Sequence, residues 1–281
     1  MQQLEWELVV GGYGRLEAPC MDLQSRLCFV DRTPPGRLLR IETDGSVTTL
    51  AKRAHVGGLV AHADGGLVAS GHNVSVIDDN GTERVLLEPS AGWGFNDLGT
   101  HPDGTVYVGR FDVDPMPPAS GQGGSLWRIG PGGSAACCYD GIQLTNGIGL
   151  SPDGSRLYHN DTTPRVVWVS DLGEDGMPLR RRLLHEFHDG SPDGMAIDED
   201  GCIWVVLIGS GKLVRLTPDG TEDSVVDGPR DWTASVCFGG DDRRDLYAVT
   251  FGGKPYDEGR SGGVYRARVA MGGAPVHPAR V

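Results

Sequence analysis

The sequence contains six degraded copies of one pattern, and this repetition constrains the fold more than any other feature. Each copy is an apolar strand–turn–strand pattern with Asp and Gly in its turn, and the copies start 39 to 50 residues apart. The starts are Glu17, Gly57, Asn96, Asn146, Asp193 and Ala234. In the fourth copy, NGIGLSPDGSRLYHN, Ile148 and Leu150 alternate with small residues before a Pro-Asp-Gly turn. Such alternation around a turn is typical of a β-hairpin.

A second, more polar hairpin follows each apolar one, for example LLRIETDGSVTTL in the first copy and KLVRLTPDGTEDSVV in the fifth. Two hairpins make four strands, and four strands in a repeat of about 40 residues are typical of a propeller blade. The sequence therefore predicts an all-β fold, a six-bladed β-propeller with four antiparallel strands per blade. We expect one domain over residues 1–281.

The two ends of the chain contribute to the last blade in this prediction. GGVYRARVAMGGAPVHPARV is expected to be the polar hairpin of the sixth copy. The N-terminal LEWELVV is expected to be an extra strand that closes the ring against that blade. A closed propeller exposes no sheet edge, so we expect a monomer.

Charge and composition exclude several classes of partner. The formal net charge is −13 and no block of Lys or Arg occurs, which argues against nucleic acid and anionic membranes and favours cations. The start MQQLEWELVV lacks the pattern of a signal peptide, and no run of eighteen apolar residues predicts a membrane span. The six cysteines form no C-x-x-C pair, so we expect reduced thiols in a cytoplasmic protein.

Four of the six copies begin with a side chain that carries an oxygen: Glu17, Asn96, Asn146 and Asp193. Because the innermost strands of a propeller all start at the same end of its channel, these side chains are expected to converge there. Two carboxylates and two amides suit a hard or borderline divalent cation. Asn and Asp are also ordinary turn residues, but Glu17 is not, and the common register of all four favours a metal site.

Other motifs carry less weight. HEFH, His185 to His188, lacks the spacing of a helical zinc motif, and GSGK, Gly209 to Lys212, lacks the first glycine of a phosphate loop and precedes a strand. No G-x-S-x-G elbow occurs. Arg15 and His55 each lie just before an innermost strand, near the predicted mouth of the channel.

At these motifs the sequence resembles the regucalcin (senescence marker protein)/gluconolactonase family, from about Leu16 to Tyr265. The matching segments include GFNDLGTHPDGTVYVG, LTNGIGLSPDGSRLY and SPDGMAIDEDGCIWVV. The resemblance implies a six-bladed propeller with one catalytic divalent metal that hydrolyses sugar-acid lactones, although some relatives act on other esters or organophosphates. It implies Glu17, Asn146 and Asp193 as metal ligands. It also implies that Asn96 contacts substrate, sometimes near the metal.

One departure from the family concerns substrate binding. Many sugar lactonases have an Arg two residues before the N-D asparagine, where this chain has Gly94. Arg110 is the nearest replacement cation, and Trp93 and Phe95 add apolar surface, although Trp93 could also pack on the blade top. We therefore assign substrate binding to Asn96, Arg110 and Trp93, and specificity to the loops 115–124 and 252–262. A lactone or ester less polar than gluconolactone is compatible with this set.

The sequence supports three functional hypotheses. The first is a divalent-metal-dependent hydrolase that opens a lactone such as gluconolactone by an activated water, with Ca²⁺, Zn²⁺, Mg²⁺, Mn²⁺ or Fe²⁺ as the ion. Asp193 is its candidate general base, or a ligand only. The second is a metal-dependent esterase, phosphotriesterase or lyase-type enzyme on the same scaffold. The third is a non-catalytic calcium-binding propeller.

Overall fold

The computed structural model describes residues 3–89, 93–112, 123–253 and 261–281. Within these ranges it contains twenty-four β-strands and no helix. The strands form six antiparallel sheets of four, which are the blades of the predicted propeller. Nothing helical in the described residues has the length and apolarity that a membrane crossing requires. The predicted fold class is therefore confirmed.

The first five blades are each built from four strands that follow one another in the chain. Blade 1 consists of β2 to β5: Leu16–Met21, Leu27–Asp31, Arg37–Ile41 and Val47–Ala51. Blade 2 consists of β6 to β9: Leu59–Ala61, Leu67–Ala69, Val74–Ile77 and Glu83–Leu87. Blade 3 consists of β10 to β13: Gly94–Thr100, Val106–Phe111, Gly124–Ile129 and Ala135–Ile142. Blade 4 consists of β14 to β17: Thr145–Leu150, Arg156–Asp161, Val166–Asp171 and Arg182–Glu186. Blade 5 consists of β18 to β21: Ser191–Ile197, Ile203–Ile208, Lys212–Leu216 and Glu222–Asp227.

The sixth blade joins the two ends of the chain. It consists of β22 to β24, Thr233–Gly239, Asp245–Thr250 and Gly262–Arg268, followed at the rim by β1, Glu7–Tyr13. The predicted closure by the N-terminal segment is thus confirmed. The expectation that the last 20 residues form a complete hairpin is wrong, because β1 occupies the edge of β24 where the second strand of that hairpin would pair.

The C-terminal segment instead runs beneath the other blades, at the end of the channel where the innermost strands finish. Gly273 forms a bridge with Asp198 of blade 5, and Ala279 forms one with His62 of blade 2. The Ala279 amide donates to the Ala61 carbonyl at 2.8 Å, and the Arg280 amide donates to the Gly104 carbonyl at 2.9 Å. These contacts tie three blades together at this end.

The hydrophobic core lies between neighbouring blades. Because both faces of a blade are covered, its middle strands are buried almost throughout, as in β19, where only Ile208 is partly accessible. Phe95 and Leu98 of blade 3, for example, pack against Val60 and Val68 of blade 2. Full burial of one such side chain contributes about 1.5–3 kcal/mol, so the ring of blades is stabilised along every interface.

Blade 5 also contains a buried ion network. The Arg215 side chain, 8% exposed, donates from Nε to Oδ2 of Asp198 at 2.7 Å and contacts Asp223 at 2.9 Å. Asp198 is fully buried and also accepts the Trp204 indole N–H at 2.9 Å. The network fastens the inner strand of this blade to its middle strands.

Candidate functional site

A cavity of about 510 Å³ opens at the end of the channel where the innermost strands begin. The structure brings all four oxygen-bearing residues of the predicted ring into it: Glu17, Asn96, Asn146 and Asp193. They come from blades 1, 3, 4 and 5, although up to 176 residues separate them in the sequence. Rotational repetition therefore assembles one polar site from distant segments.

Irregularities in the innermost strands direct these side chains toward the channel. The pairing register shifts between Phe95 and Leu98, between Thr145 and Ile148, and between Pro192 and Met195. Asn96, Asn146 and Asp193 lie within these three shifts. Such bulges break the regular alternation of a strand, and they place a polar side chain at a strand position that would otherwise face the apolar interface.

Gly57, the corresponding position of blade 2, has no side chain for a steric reason. A Cβ atom at Gly57 would lie 2.0 Å from Oδ1 of Asn96. The amide of blade 3 thus fills the space that a blade 2 side chain would need, and only glycine is compatible with it.

A chain of hydrogen bonds orients the amide of Asn146. Asn96 Nδ2 donates to Asn146 Oδ1 at 2.6 Å and to the Thr145 carbonyl at 2.8 Å. On the other side, Asn146 Nδ2 donates to Thr162 Oγ1 at 2.7 Å, and this hydroxyl donates to the Pro192 carbonyl at 2.7 Å. Oδ1 of Asn146 is therefore the atom that accepts from Asn96. As an amide carbonyl oxygen, it has a second lone pair that another partner can use.

Asn160, on blade 4, holds the backbone of Asp193, the candidate ligand on blade 5. Asn160 is fully buried, and its Nδ2 donates to the backbone carbonyl of Asp193 at 2.7 Å. Asn160 and Thr162 were not singled out from the sequence. The run HNDTT at the end of β15 was an available signal, since polar residues there interrupt a strand that is otherwise buried.

The two carboxylates of the site are strongly desolvated. Glu17 is 8% and Asp193 6% exposed. Burial raises the pKa of Glu17 to about 7, although the positive charges of Arg32 and Arg15 oppose the shift. Burial raises the pKa of Asp193 well above its usual range, and the negative charges of Glu17 and Asp97 add to this effect. Burial therefore outweighs the positive charges of the nearby arginines, and a divalent cation bound between the two carboxylates would offset their negative charge.

Asp97 is a third carboxylate that sequence reasoning missed. It is partly buried and follows Asn96 directly in the N-D motif. Burial first, and then the charge of Glu17, raises its pKa well above the usual value. The sequence pattern assigned only the asparagine of this pair to the site. Asp97 follows it on the same irregular strand and was not expected to lie near the charge of Glu17.

The donor set fits a hard divalent cation. Within the described parts of the chain, no three side chains of His, Cys, Asp or Glu are grouped so that they could hold one ion. A metal here would thus depend on Glu17 and Asp193 together with the amide oxygen of Asn146. Carboxylate and amide oxygens are the ligands that Ca²⁺, Mg²⁺ and Mn²⁺ prefer, and Zn²⁺ and Fe²⁺ also accept them.

Aromatic side chains form the wall of the cavity. Trp93 lines it and packs edge-to-face on His55 at a centroid distance of 4.8 Å and on Phe111 at 6.3 Å. Arg15 and His55, which the sequence places near the mouth, also line the cavity. Phe251 adds a further apolar surface.

Among the described residues, Arg110 and Phe95 are not part of the cavity lining. Arg110 is not among the described residues that line the cavity; it is buried, 5.6 Å above the Trp127 ring and 3.7 Å from Asp112. Phe95 is packed in the core between blades 2 and 3. The assignment of Arg110 to substrate therefore stays a prediction that this placement does not support. The loops 115–124 and 252–262 lie largely outside the described residues.

Gly94 cannot be replaced by a larger residue in this backbone. A Cβ atom there would lie 2.5 Å from the Gly71 carbonyl oxygen. The position at which many sugar lactonases carry an arginine is thus sterically closed in this chain.

Comparisons with known proteins agree with this fold and give its family. The model of a family described as the SMP-30/Gluconolactonase/LRE-like region matches residues 17–252. The chain is 33% identical over 243 residues to 6-deoxy-6-sulfogluconolactonase of Pseudomonas putida, with 83% of this chain and 82% of the relative covered. It is 31% identical over 239 residues to pentonolactonase XacC of Haloferax volcanii, with 82% and 79% covered. The solved structure of a calcium-binding protein, regucalcin, from Agrobacterium tumefaciens superposes with a TM-score of 0.85 at 19% identity over the whole of both chains.

Proposed function

Because the chain belongs to the SMP-30/Gluconolactonase/LRE-like family, we propose that it is a metal-dependent hydrolase that opens a lactone with an activated water. One observation carries the proposal: Glu17, Asn146 and Asp193 lie in a single cavity, together with Asn96. The relatives named as lactonases in Pseudomonas putida and Haloferax volcanii support the reaction class.

Each side chain of the site has a role in this proposal. Glu17, Asn146 and Asp193 bind the ion, which is Ca²⁺, Zn²⁺, Mg²⁺, Mn²⁺ or Fe²⁺. A divalent cation held there supplies Lewis acidity to the lactone carbonyl and lowers the pKa of a water. Asp193 accepts a proton from the attacking water as general base. Asn96 orients the substrate, and Trp93 with Phe111 excludes water from the ring of the lactone.

Asp193 has an environment that suits a proton acceptor held beside a cation. Its carboxylate is buried, and its backbone is fixed by Asn160. A buried carboxylate with a fixed backbone keeps one position, and proton transfer requires an acceptor that is held in place. Attack of the water forms a new C–O bond at the carbonyl carbon, and collapse of the tetrahedral adduct then breaks the ring C–O bond. The proton that Asp193 accepted passes to the leaving alkoxide, which gives the free hydroxy acid.

Assembly state and compartment are part of the same proposal. β1 pairs with β24 and completes the sixth blade, so all six blades have four strands and only their short outer edges face the rim, which supports a monomer. All six cysteines are free, which agrees with a reducing cytoplasm as the compartment.

The experiment is a substrate screen. Chelator-stripped protein is supplied in turn with each of the five ions and assayed for acid release from aldonolactones, alkyl and aryl lactones, aryl esters and phosphotriesters. The proposal predicts metal-restored turnover that is highest for a lactone. Turnover that is orders of magnitude higher for aryl esters or phosphotriesters would instead support the second hypothesis, which the aromatic wall and the closed position at Gly94 favour.

A non-catalytic role has its own signature in the same screen. Ca²⁺ would then raise the melting temperature, while no substrate of the panel would be turned over with any ion. That combination would contradict the proposed activity and leave a structural ion as the function of the site.

A further inference from the structure

A second set of equivalent positions surrounds the cavity, closer to its mouth than the oxygen-bearing residues. Phe111 pairs with Gly94, and Ile208 pairs with Ser191, each two residues before the start of a copy. The same register of the second strand gives one such residue in every blade. We call this set the upper ring; in blade order it consists of Arg32, His72, Phe111, Thr162, Ile208 and Phe251.

The upper ring is apolar on three of the blades that line the cavity. Five of its members line the cavity, and three of these are Phe111, Ile208 and Phe251. The blade 2 member, His72, is exposed. Phe111 also contacts Trp93, whose ring centroid lies 6.3 Å away. Blades 3, 5 and 6 therefore present apolar surface between the candidate ion site and the mouth.

The polar members of the upper ring that line the cavity interact with the candidate ion ligands below them. Arg32 Nη1 lies 3.7 Å from Glu17 Oε1. The Thr162 hydroxyl accepts from Asn146 Nδ2 at 2.7 Å. Blades 1 and 4 thus support the ion site from this level, whereas blades 3, 5 and 6 offer side-chain carbon to a molecule that enters the cavity.

The cavity has more room than a lactone ring needs. A cavity of about 150 Å³ holds one benzene molecule, which is about 25 Å³ for each non-hydrogen atom. On this scale the cavity of about 510 Å³ takes about twenty such atoms, and a γ-lactone with its carbonyl oxygen has about six. Two residues of a strand span about 7 Å, so a chain of about six carbons reaches from a lactone at the ion site to the upper ring.

We propose that the preferred lactone carries an apolar substituent, an alkyl chain or an aryl ring, and that Phe111, Ile208 and Phe251 hold it above the ion. The proposal rests on the lactonase function and specifies the substrate class of the same site. A hydroxyl group that faced these side chains would give up hydrogen bonds to water, which costs free energy. A CH₂ group at the same place is stabilised because it leaves water.

A series of γ-lactones with the same ring tests the proposal. γ-Valerolactone, γ-hexalactone, γ-octalactone and γ-decalactone carry alkyl chains of increasing length, γ-phenyl-γ-butyrolactone carries an aryl ring, and ribono-γ-lactone carries hydroxyl groups. The measured quantity is kcat/KM divided by the rate constant for hydroxide-catalysed hydrolysis of the same lactone. It should rise about fourfold for each CH₂ up to γ-octalactone and exceed the value for ribono-γ-lactone at least about tenfold there.

Two further comparisons in the series complete this test. γ-Decalactone and the phenyl lactone have substituents of equal carbon number, so the larger value identifies a chain or a ring as the preferred substituent. A value for γ-octalactone equal to or below that for ribono-γ-lactone would overturn the proposal.

Ile208 gives the informative variants, because it is partly accessible at the end of β19. Thr and Val are both β-branched and differ only in a hydroxyl against a methyl group. Ile208→Val should lower kcat/KM for γ-octalactone about fourfold and Ile208→Thr at least about tenfold, while γ-valerolactone changes less than about threefold. Ile41→Thr, at a partly accessible position of β4, is the matched control. Equal losses in Ile208→Thr for short and long chains would contradict the subsite.

A binding measurement separates this proposal from the lactonase function. Calorimetry compares γ-hydroxyoctanoate with γ-hydroxybutyrate, the ring-opened acids, in wild-type protein and in Ile208→Thr. Tighter binding of γ-hydroxyoctanoate with a more negative heat-capacity change, both reduced in Ile208→Thr, supports the subsite even if no lactone is hydrolysed. Hydrolysis of γ-lactones without any dependence on chain length would retain the lactonase function and overturn the subsite.

Discussion

Asn96 and Asn146 lie on adjacent blades, and the amide nitrogen of Asn96 donates to the amide oxygen of Asn146 at 2.6 Å. This bond joins the residue proposed to orient substrate to a residue proposed to bind the ion. Since the Asn146 amide is held from its other end by Thr162, its oxygen has one orientation. The geometry of the ion site therefore depends on a residue that does not itself need to touch the ion.

Asn96→Asp tests that dependence with almost no change of shape. A carboxylate oxygen would replace Nδ2 and face two acceptors, the Thr145 carbonyl and Asn146 Oδ1. We expect metal affinity and kcat/KM to fall about 10- to 100-fold, as for other residues that orient a metal ligand. Calorimetric metal titration and the lactone assay measure the two quantities. Asn80→Asp, at an exposed position, is the control, and wild-type metal affinity in Asn96→Asp would contradict the role.

His159 predicts acid sensitivity of the fold. It is fully buried between Tyr139 and Thr145, and burial lowers its pKa from 6.5 to about 3. Between pH 6.5 and about 3 the unfolded chain binds a proton that the folded chain does not, so stability falls as the pH falls. The slope is at most about 1.4 kcal/mol per pH unit.

Urea unfolding of metal-free protein between pH 7.5 and 4.5 measures this effect. His159→Gln keeps hydrogen-bonding groups toward Thr145 and Tyr139 but cannot titrate, so its free energy of unfolding should depend less on pH than that of wild type. His188→Gln, at an exposed position, is the control. Parallel profiles of wild type and His159→Gln would show that this histidine is not responsible.

Asp198→Asn tests the buried network of blade 5. The substitution leaves Arg215 without its one buried carboxylate, although Asp200 and Asp223 remain at 3.1 and 2.9 Å. We expect a loss of about 3 kcal/mol in the free energy of unfolding, the lower end for a broken buried pair. Asp242→Asn, in the exposed pair with Arg268, should leave the urea midpoint unchanged. Equal, small effects of both substitutions would contradict the structural role of Asp198.

The blades could be predicted from the sequence because each is built from local patterns. Alternating apolar residues around an Asp-Gly turn specify a hairpin wherever they occur, and the six copies specify the ring. The C-terminal hairpin was predicted wrongly because β1 and the last residues compete for the same edge of β24. A competition between two distant segments for one strand edge cannot be recognised from the sequence of either segment alone.

The candidate site, too, could be predicted from the sequence only in part. Repetition placed Glu17 and Asp193 in one cavity, since equivalent positions of different blades meet at the axis. Asp97 could not be predicted, because its placement depends on a register shift. For Asn160 the run HNDTT signals a polar residue, but its contact with Asp193 on the next blade could not be predicted. Arg110 was selected by its nearness to Gly94 along the sheet, and its role in substrate binding stays a prediction; its guanidinium lies over the Trp127 ring.

The most direct test of the account is a metal titration coupled to hydrolysis. Chelator-stripped protein is titrated with the best ion of the substrate screen while acid release from its best lactone is followed. The account predicts no turnover without the ion, saturation at one equivalent, and a loss of at least about a thousandfold in kcat for Asp193→Ala, with Arg268→Gln unchanged. Full turnover of the stripped protein, or near-normal turnover of Asp193→Ala with its ion bound, would contradict it.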